Sequence, residues 1–237
     1  GFSWNPGDRG KDWIWMAIRR PNKPAEEFEP EELFAMDGGV MPPDNPRMRS
    51  GFPVDMAWRR GHDYTCETFI TPRLTQEYML RTNSDVEEVQ QDWARFDYMN
   101  GYVYDFNVAN QRSWMWRRAP GFFDTVCYEG NGQLGREIPH NLGVAPEMMW
   151  VKRRTGDAND WEVFHSGMTR KEHLRLNTDA GKTTGSPWSA EPTETEFTVN
   201  NSQEVNRAGD GYIAYLFASV PGICDIGTYT GNGATQE

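Results

Sequence analysis

Apolar and polar residues alternate in short runs along most of this chain. Gly, Asn, Asp and Pro break the runs at intervals of roughly 8–12 residues, which is the pattern of short strands joined by turns. Phe52–Arg60, Tyr78–Arg81, Ser113–Arg118 and Phe122–Tyr128 read as strands. Arg136–His140, Glu147–Arg153, Trp161–His165, Glu172–Leu176, Glu196–Val199 and Tyr212–Phe217 read the same way further on. Lys11–Arg19 alternates only roughly, but its Trp and Ile content favours a strand. Phe96–Phe106 predicts a hairpin that turns on Asn100-Gly101, a pair that tolerates positive φ at both centres of a type I′ turn. Helical spacing is confined to single turns at Glu31–Met36 and Asp85–Gln91. The expected fold class is all-β.

The runs also repeat. Trp114–Gly132 (WMWRRAPGFFDTVCYEGNG) is matched without a gap by Tyr215–Gly233 (YLFASVPGICDIGTYTGNG). Pro120-Gly121 falls on Pro221-Gly222, Asp124 on Asp225, Tyr128 on Tyr229 and the first Gly-Asn-Gly on the second. Trp13–Pro21 echoes Arg112–Pro120 more faintly. Asp55-Met56-x-Trp58 sets on Glu147-Met148-x-Trp150, and Leu80-Arg-x-Asn83 on Leu174-Arg-x-Asn177. A repeat fixes the unit of folding, and a unit of about one hundred residues is a small domain rather than a solenoid turn.

The expected organisation is therefore tandem β-sandwich domains, jelly-roll or lectin-like, with long irregular loops. Residues 1–120 form a first, divergent repeat, residues 121–220 a second, and residues 221–237 the start of a following repeat or a tail. Since the chain opens on Gly inside one unit's last strand, it reads as a processed product or a piece of a longer chain. Residues 21–50 hold five acidic residues from Glu26 to Glu32 and six prolines from Pro21 to Pro46, and read as a loop inside the first repeat. Pro120, Gly121, Pro221 and Gly222 are read as the inter-repeat joints. Proline ends a strand for want of an N–H, and glycine takes the positive φ that redirects the chain. Phe122–Tyr128 then pairs within the second repeat.

Composition narrows the functions. Hydrophobic residues are 37 % of the chain and aromatics 13 %, so Trp and Phe supply much of the burial. The net charge of −11 argues against nucleic acid and against a polybasic membrane patch, and no apolar run is long enough to span a bilayer. Cys66, Cys127 and Cys224 keep no repeat-equivalent position, so they predict buried free thiols in a reducing compartment rather than a disulfide framework or a zinc site.

No chemical constellation stands out. Glu26, Glu27, Glu29, Glu31 and Glu32 read as a solvated acidic loop. Asp157, Asn159 and Asp160 resemble a calcium loop but lack its terminal Glu, and read as a polar turn. His62, His140, His165 and His173 show no metalloprotease spacing, and no nucleophile-elbow motif is present. Asn200-Asn-Ser202 is formally a glycosylation acceptor and reads as a turn. Trp161 and Trp188, beside polar loops, are the candidate glycan contacts. Arg118, Lys152, Arg153 and Arg154 read as a solvated basic strand face, or as partners for an acidic neighbouring repeat. No catalytic, cofactor or metal residue is assigned.

The runs FFDTVCYEGNG, REIPHNLGVAPEMMWVKRR, DWEVFH, LRLN, GDGYIAYLFASVPG and YTGNG resemble a repeated domain of virion structural proteins from tailed bacteriophages, notably those of marine bacteria. WIWMAIRRP and GFPVDMAWRR resemble a divergent upstream copy. The resemblance covers most of residues 51–237 and implies β-sandwich repeats in tail fibres or particle appendages. It implies a non-enzymatic protein made in the host cytoplasm and exposed on the particle. It implies partnership with other virion proteins and with itself as a homo-oligomer, without nucleic acid, membrane insertion or cofactor. A lectin-like module binding host-surface glycan is the alternative.

Overall fold

In a computed structural model, which describes residues 28–61, 67–105 and 110–229, the alternating runs become antiparallel ladders. The first half contributes β1 (Phe34–Asp37), β2 (Met48–Arg49), β3 (Met56–Gly61), β4 (Thr68–Pro72), β5 (Tyr78–Arg81), β6 (Val89–Gln90), β7 (Ala94–Arg95), β8 (Gly101–Tyr104) and β9 (Gln111–Trp116). The second contributes β10 (Phe123–Glu129), β11 (Arg136–Pro139), β12 (Met148–Arg153), β13 (Glu162–His165), β14 (Glu172–Arg175), β15 (Thr183–Thr184), β16 (Glu196–Val199) and β17 (Gly211–Phe217). The named helical elements among the described residues are only α1 (Gln203–Asn206) and a 3-10 turn at Pro30–Glu32. The protein is all-β in class.

Two six-stranded sheets dominate, in the orders β1-β9-β3-β4-β5-β6 and β10-β17-β12-β13-β14-β15. The orders correspond strand for strand, and so do the registers. Trp114 pairs with Trp58, Trp58 with Ile70 and Ile70 with Leu80. Tyr215 pairs with Trp150, Trp150 with Val163 and Val163 with Leu174. Asn83 Oδ1 accepts from the Thr68 N–H at 3.1 Å, and Asn177 Oδ1 from the Trp161 N–H at 2.9 Å. The sequence matches Trp58 to Trp150, Leu80 to Leu174 and Asn83 to Asn177 thus fall on equivalent ladder positions.

Side chains alternate across each sheet with the strand period of two. On β12, Met148 and Trp150 face one cluster, while Met149 and Val151 face another. On β17, Ile213, Tyr215 and Phe217 join the first, and Tyr212, Ala214 and Leu216 the second. That second cluster is closed by the two-stranded sheet β11-β16 through Ile138, Phe197 and Val199. The first six-stranded sheet is backed likewise by the three-stranded sheet β2-β8-β7, with Met48, Phe52, Phe96 and Tyr102 against Ala57 and Met115. The remaining faces of the two large sheets meet one another. Met56, Ile70 and Leu80 from one share a cluster with Trp150, Trp161, Val163 and Tyr215 from the other, and the Trp58 and Trp150 rings lie 5.8 Å apart.

Several expectations need correction. Residues 21–50 are not loop throughout: Phe34–Asp37 is the edge strand β1, paired with β9, and Met48-Arg49 pairs with β8. The prolines at 42, 43 and 46 fall between these strands, so no ladder N–H is lost. The helical turn expected at Glu31–Met36 therefore stops at Glu32. The hairpin around Asn100-Gly101 turns more widely, with Ala94 opposite Tyr104 and Arg95 opposite Val103. Phe96 and Tyr102 stack at 5.1 Å inside the core, so the chain between them bends around two buried rings rather than at a two-residue tip. Asp85–Gln91 carries a short strand, β6, and no helix. The strand expected at Lys11–Arg19 and the second Gly-Asn-Gly lie outside the described residues.

Candidate functional site

The most built polar feature is the rim where the two large sheets meet. Arg154 clasps Glu88 with two hydrogen bonds, Nε to Oε2 at 2.7 Å and Nη2 to Oε1 at 3.0 Å, and the Glu88 N–H donates to the Arg154 carbonyl at 2.9 Å. A bidentate guanidinium–carboxylate pair of this kind fixes geometry as well as charge. Lys152 Nζ donates to the Asp85 carbonyl at 3.1 Å, and the Asn159 N–H donates to the same oxygen at 2.9 Å. Lys152 and Arg153 are buried. Burial, then the neighbouring Arg153, pulls the Lys152 ammonium down to about 8. The solvated basic face expected here is thus corrected. These side chains are enclosed because β12 is a central strand covered on both faces. Arg154 takes the other expected course and pairs with an acid from the other half of the chain. Arg118 pairs with Asp124.

Trp161 and Trp188 do not present a surface to a sugar. Trp161 is 0 % exposed, and its Nε1 donates to the Arg81 carbonyl at 2.9 Å across the same sheet-to-sheet contact. Trp188 is 1 % exposed and meets Phe164 edge to face at 6.0 Å. Both are core residues: large rings in a lean composition are drawn inward.

The two Pro-Gly corners adopt one geometry. The Phe122 and Ile223 N–H groups each donate to the carbonyl three residues back, on Ala119 and Val220. Gly121 has φ +79° and Gly222 φ +80°, the left-handed value that the third residue of a type II turn requires. Beyond the first corner, β10 pairs over its length with β17. The first corner is also covered. Gly121 N–H donates to the Leu142 carbonyl at 2.7 Å, and Asn141 N–H to Asp124 Oδ2 at 2.7 Å. The Gly-Asn-Gly turn after β10 docks on α1: the Asn131 N–H donates to Asn206 Oδ1 and the Gly132 N–H to the Asn206 carbonyl. A Cβ on Gly130 would lie 2.0 Å from the Arg207 carbonyl oxygen, so the turn needs glycine for close backbone approach.

A buried acid was not read from the sequence. Glu162 is 0 % exposed and neither carboxyl oxygen has a hydrogen-bond partner among the described residues. Burial pushes it up to about 8 against the pull of Arg175, whose Nε lies 3.8 Å away. His173 Nε2 sits 3.4 Å from Glu162 and 2.9 Å from the Thr183 hydroxyl, and burial lowers its pKa. Acid and hydroxyl meet the same ring nitrogen, so they do not flank the imidazole as a nucleophilic relay needs.

The other sequence candidates are occupied. Asp157 pairs with Arg207 at 2.8 Å and Asp160 with Arg175 at 3.0 Å, which makes the calcium-like stretch an ion-paired turn. His140 accepts from the Leu142 N–H at Nδ1 and meets the Thr193 carbonyl at Nε2. His165 Nδ1 accepts from the Gly167 N–H. Cys127 and Cys224 are free thiols, but Cys127 is exposed rather than buried, because the outer half of β10 is an uncovered sheet edge. Glu29, Glu31 and Glu32 are exposed; His62, Cys66, Glu26 and Glu27 lie outside the described residues. Among the described residues no three His, Cys, Asp or Glu side chains converge as a metal site would.

Residues 50–237 match the family DUF7483, a domain of unknown function. No curated protein and no solved structure matches the chain.

Proposed function

The chain belongs to the DUF7483 family, and we propose that it is a non-enzymatic structural segment of a tailed-phage particle, part of a tail fibre or appendage. In this reading it carries two copies of one β-sandwich repeat in tandem, and it works by holding neighbouring virion proteins, and copies of itself, at a fixed geometry. The supporting observation is that equivalent residues of the two halves occupy equivalent ladder positions, while the two large sheets share one apolar cluster. Two such units locked through Trp58, Trp150 and the Glu88–Arg154 clasp form a stiff rod segment rather than a tethered domain. The lectin-like alternative rested on Trp161 and Trp188, and both are core residues, so host glycan is not carried as a partner.

The test is the composition of the particle. Virions are purified through a density gradient, stripped of loosely bound protein and labelled with antibody against this chain. Stoichiometric label on tails or capsid appendages is the expected result. Absence of the chain from intact, infectious particles would reject the reading.

A further inference from the structure

The outer edge of the second large sheet closes over a buried pair of titratable groups. Glu162 on β13 stands opposite Arg175, and His173 on β14 stands opposite Thr183, so all four point to one side of the sheet. Both members of the pair are buried. The two Glu162 carboxyl oxygens and His173 Nδ1 have no hydrogen-bond partner among the described residues. From Thr183 the chain leaves the two-residue strand β15 and crosses the imidazole as a strap to Trp188, which packs on Phe164. A Cβ on Gly185 would lie 2.6 Å from His173 Cε1, so the strap backbone rests directly on the ring. The strap is held by two ladder pairs to β14 and by the Gly185 N–H on the Lys171 carbonyl at 2.8 Å. Asn200 adds bonds to the Ser186 and Pro187 carbonyls at 2.8 and 2.9 Å. Residues 178–182, which lead into it, are exposed. A short edge element of this kind opens at lower cost than central strands.

We propose that Glu162 and His173 form a proton-operated latch: the strap stays down while the pair holds one proton between them, and lifts when a second is added or the last is removed. The charges that face the pair are few. Arg175 on β14 has its Nε 3.8 Å from Glu162 but gives its guanidinium to Asp160 at 3.0 Å, and Glu204 comes from α1. β12 sets Val151 beside Glu162, and the strap carries no charged side chain. Under the strap, burial pushes Glu162 up to about 8, and burial, then Arg175, pulls His173 below 6.5. The closed pair therefore holds one proton, whichever atom carries it. With the strap lifted, the two return to their ordinary 4.5 and 6.5. Between those values the open pair also holds one proton, so opening is independent of pH. Above 6.5 it holds none, and opening grows until about 8; below 4.5 it holds two, and opening grows as pH falls.

Hydrogen exchange of the full 237-residue chain, read by mass spectrometry over roughly pH 4–9 and corrected for intrinsic rates, tests this. In the wild type, peptides over residues 183–188 should exchange well ahead of β3 and β9. Their opening constant should be level between 4.5 and 6.5, rise about thirtyfold by 8, and rise about tenfold per pH unit below 4.5. Glu162→Gln should abolish the alkaline rise and start the acid rise at 6.5 instead of 4.5. His173→Gln should turn the level stretch into one continuous rise from 4.5 to about 8. A strap that exchanges only together with β3 and β9, or whose opening ignores pH, would overturn the latch, and both results are read on the wild type alone. A folded Glu162→Gln variant that keeps the alkaline rise would overturn it as well.

Discussion

The two halves of the molecule share a ladder and differ in what backs it. In the second half β11 and β16 pair over four residues each, and the enclosed cluster includes Phe164, Trp188 and Phe197. In the first half the backing sheet has strands of two, four and two residues, and the edge strand β1 of the large sheet leaves Phe34 and Met36 exposed. Yet Trp58 and Trp150 hold the same register with their neighbours. The central strands, fixed by neighbours on both sides, tolerate little change, while edges and backing layers absorb the divergence. The prediction is that substitutions in shared central positions cost most where the second half buries them more deeply.

Trp150→Ala should show the largest effect, about 3–5 kcal/mol, since Trp150 is 9 % exposed and touches both Trp58 and Phe217. Trp58→Ala, at a half-buried position, should cost distinctly less. Urea titrations of both variants decide it, and equal losses would mean that the halves contribute alike.

The next effect is a pH dependence. Glu162 rises from 4.5 when unfolded to about 8 when folded, so the folded state holds an extra proton between those values. Stability from this group is full below 4.5 and lost as pH rises through about 8. Lys152 falls from 10.5 to about 8, so the unfolded state binds more protons in that window, and stability rises with pH across it. Glu162→Gln should flatten the lower limb and gain on the order of 3 kcal/mol at its alkaline end. Melting temperatures across the pH range read both limbs; a Gln variant with an unchanged lower limb would remove Glu162 as its source.

Gly130→Ala should cost about 2 kcal/mol or more, because the added methyl meets the Arg207 backbone. Gly181, with open space around it, serves as the near-neutral control. Smallest is the clasp. A double-mutant cycle on Glu88→Gln and Arg154→Met should give a coupling of about 1–2 kcal/mol, little changed by salt, because the pair is mostly enclosed. A coupling that vanishes in added salt would place the pair in solvent.

Much of this was legible in the sequence where one face of a strand is covered and the other is not. Tyr78–Arg81 and Glu196–Val199 were read to the residue, and the Pro-Gly corners followed from their backbone requirements. The rest was hidden for physical reasons. β12 and β17 are covered on both faces, so alternation gives no sign that Lys152 and Arg153 are enclosed. β1 is four residues of exposed edge inside an acidic, proline-rich stretch, with too little burial to leave a pattern. Trp161 and Trp188 sit beside polar turns in sequence, but the rings turn inward, and only the fold brings the Arg81 carbonyl to Trp161 Nε1. Glu162 lacks any local motif, since Arg175 and His173 reach it across a strand pair.

The central claim is that the two halves are joined by a shared apolar cluster as well as by the Pro120-Gly121 corner. Differential scanning calorimetry of the whole chain tests it most directly. The account predicts one cooperative transition, with calorimetric and van't Hoff enthalpies equal, which Trp150→Ala shifts downward as a whole. Two resolved transitions, with Trp150→Ala moving only one of them, would contradict it.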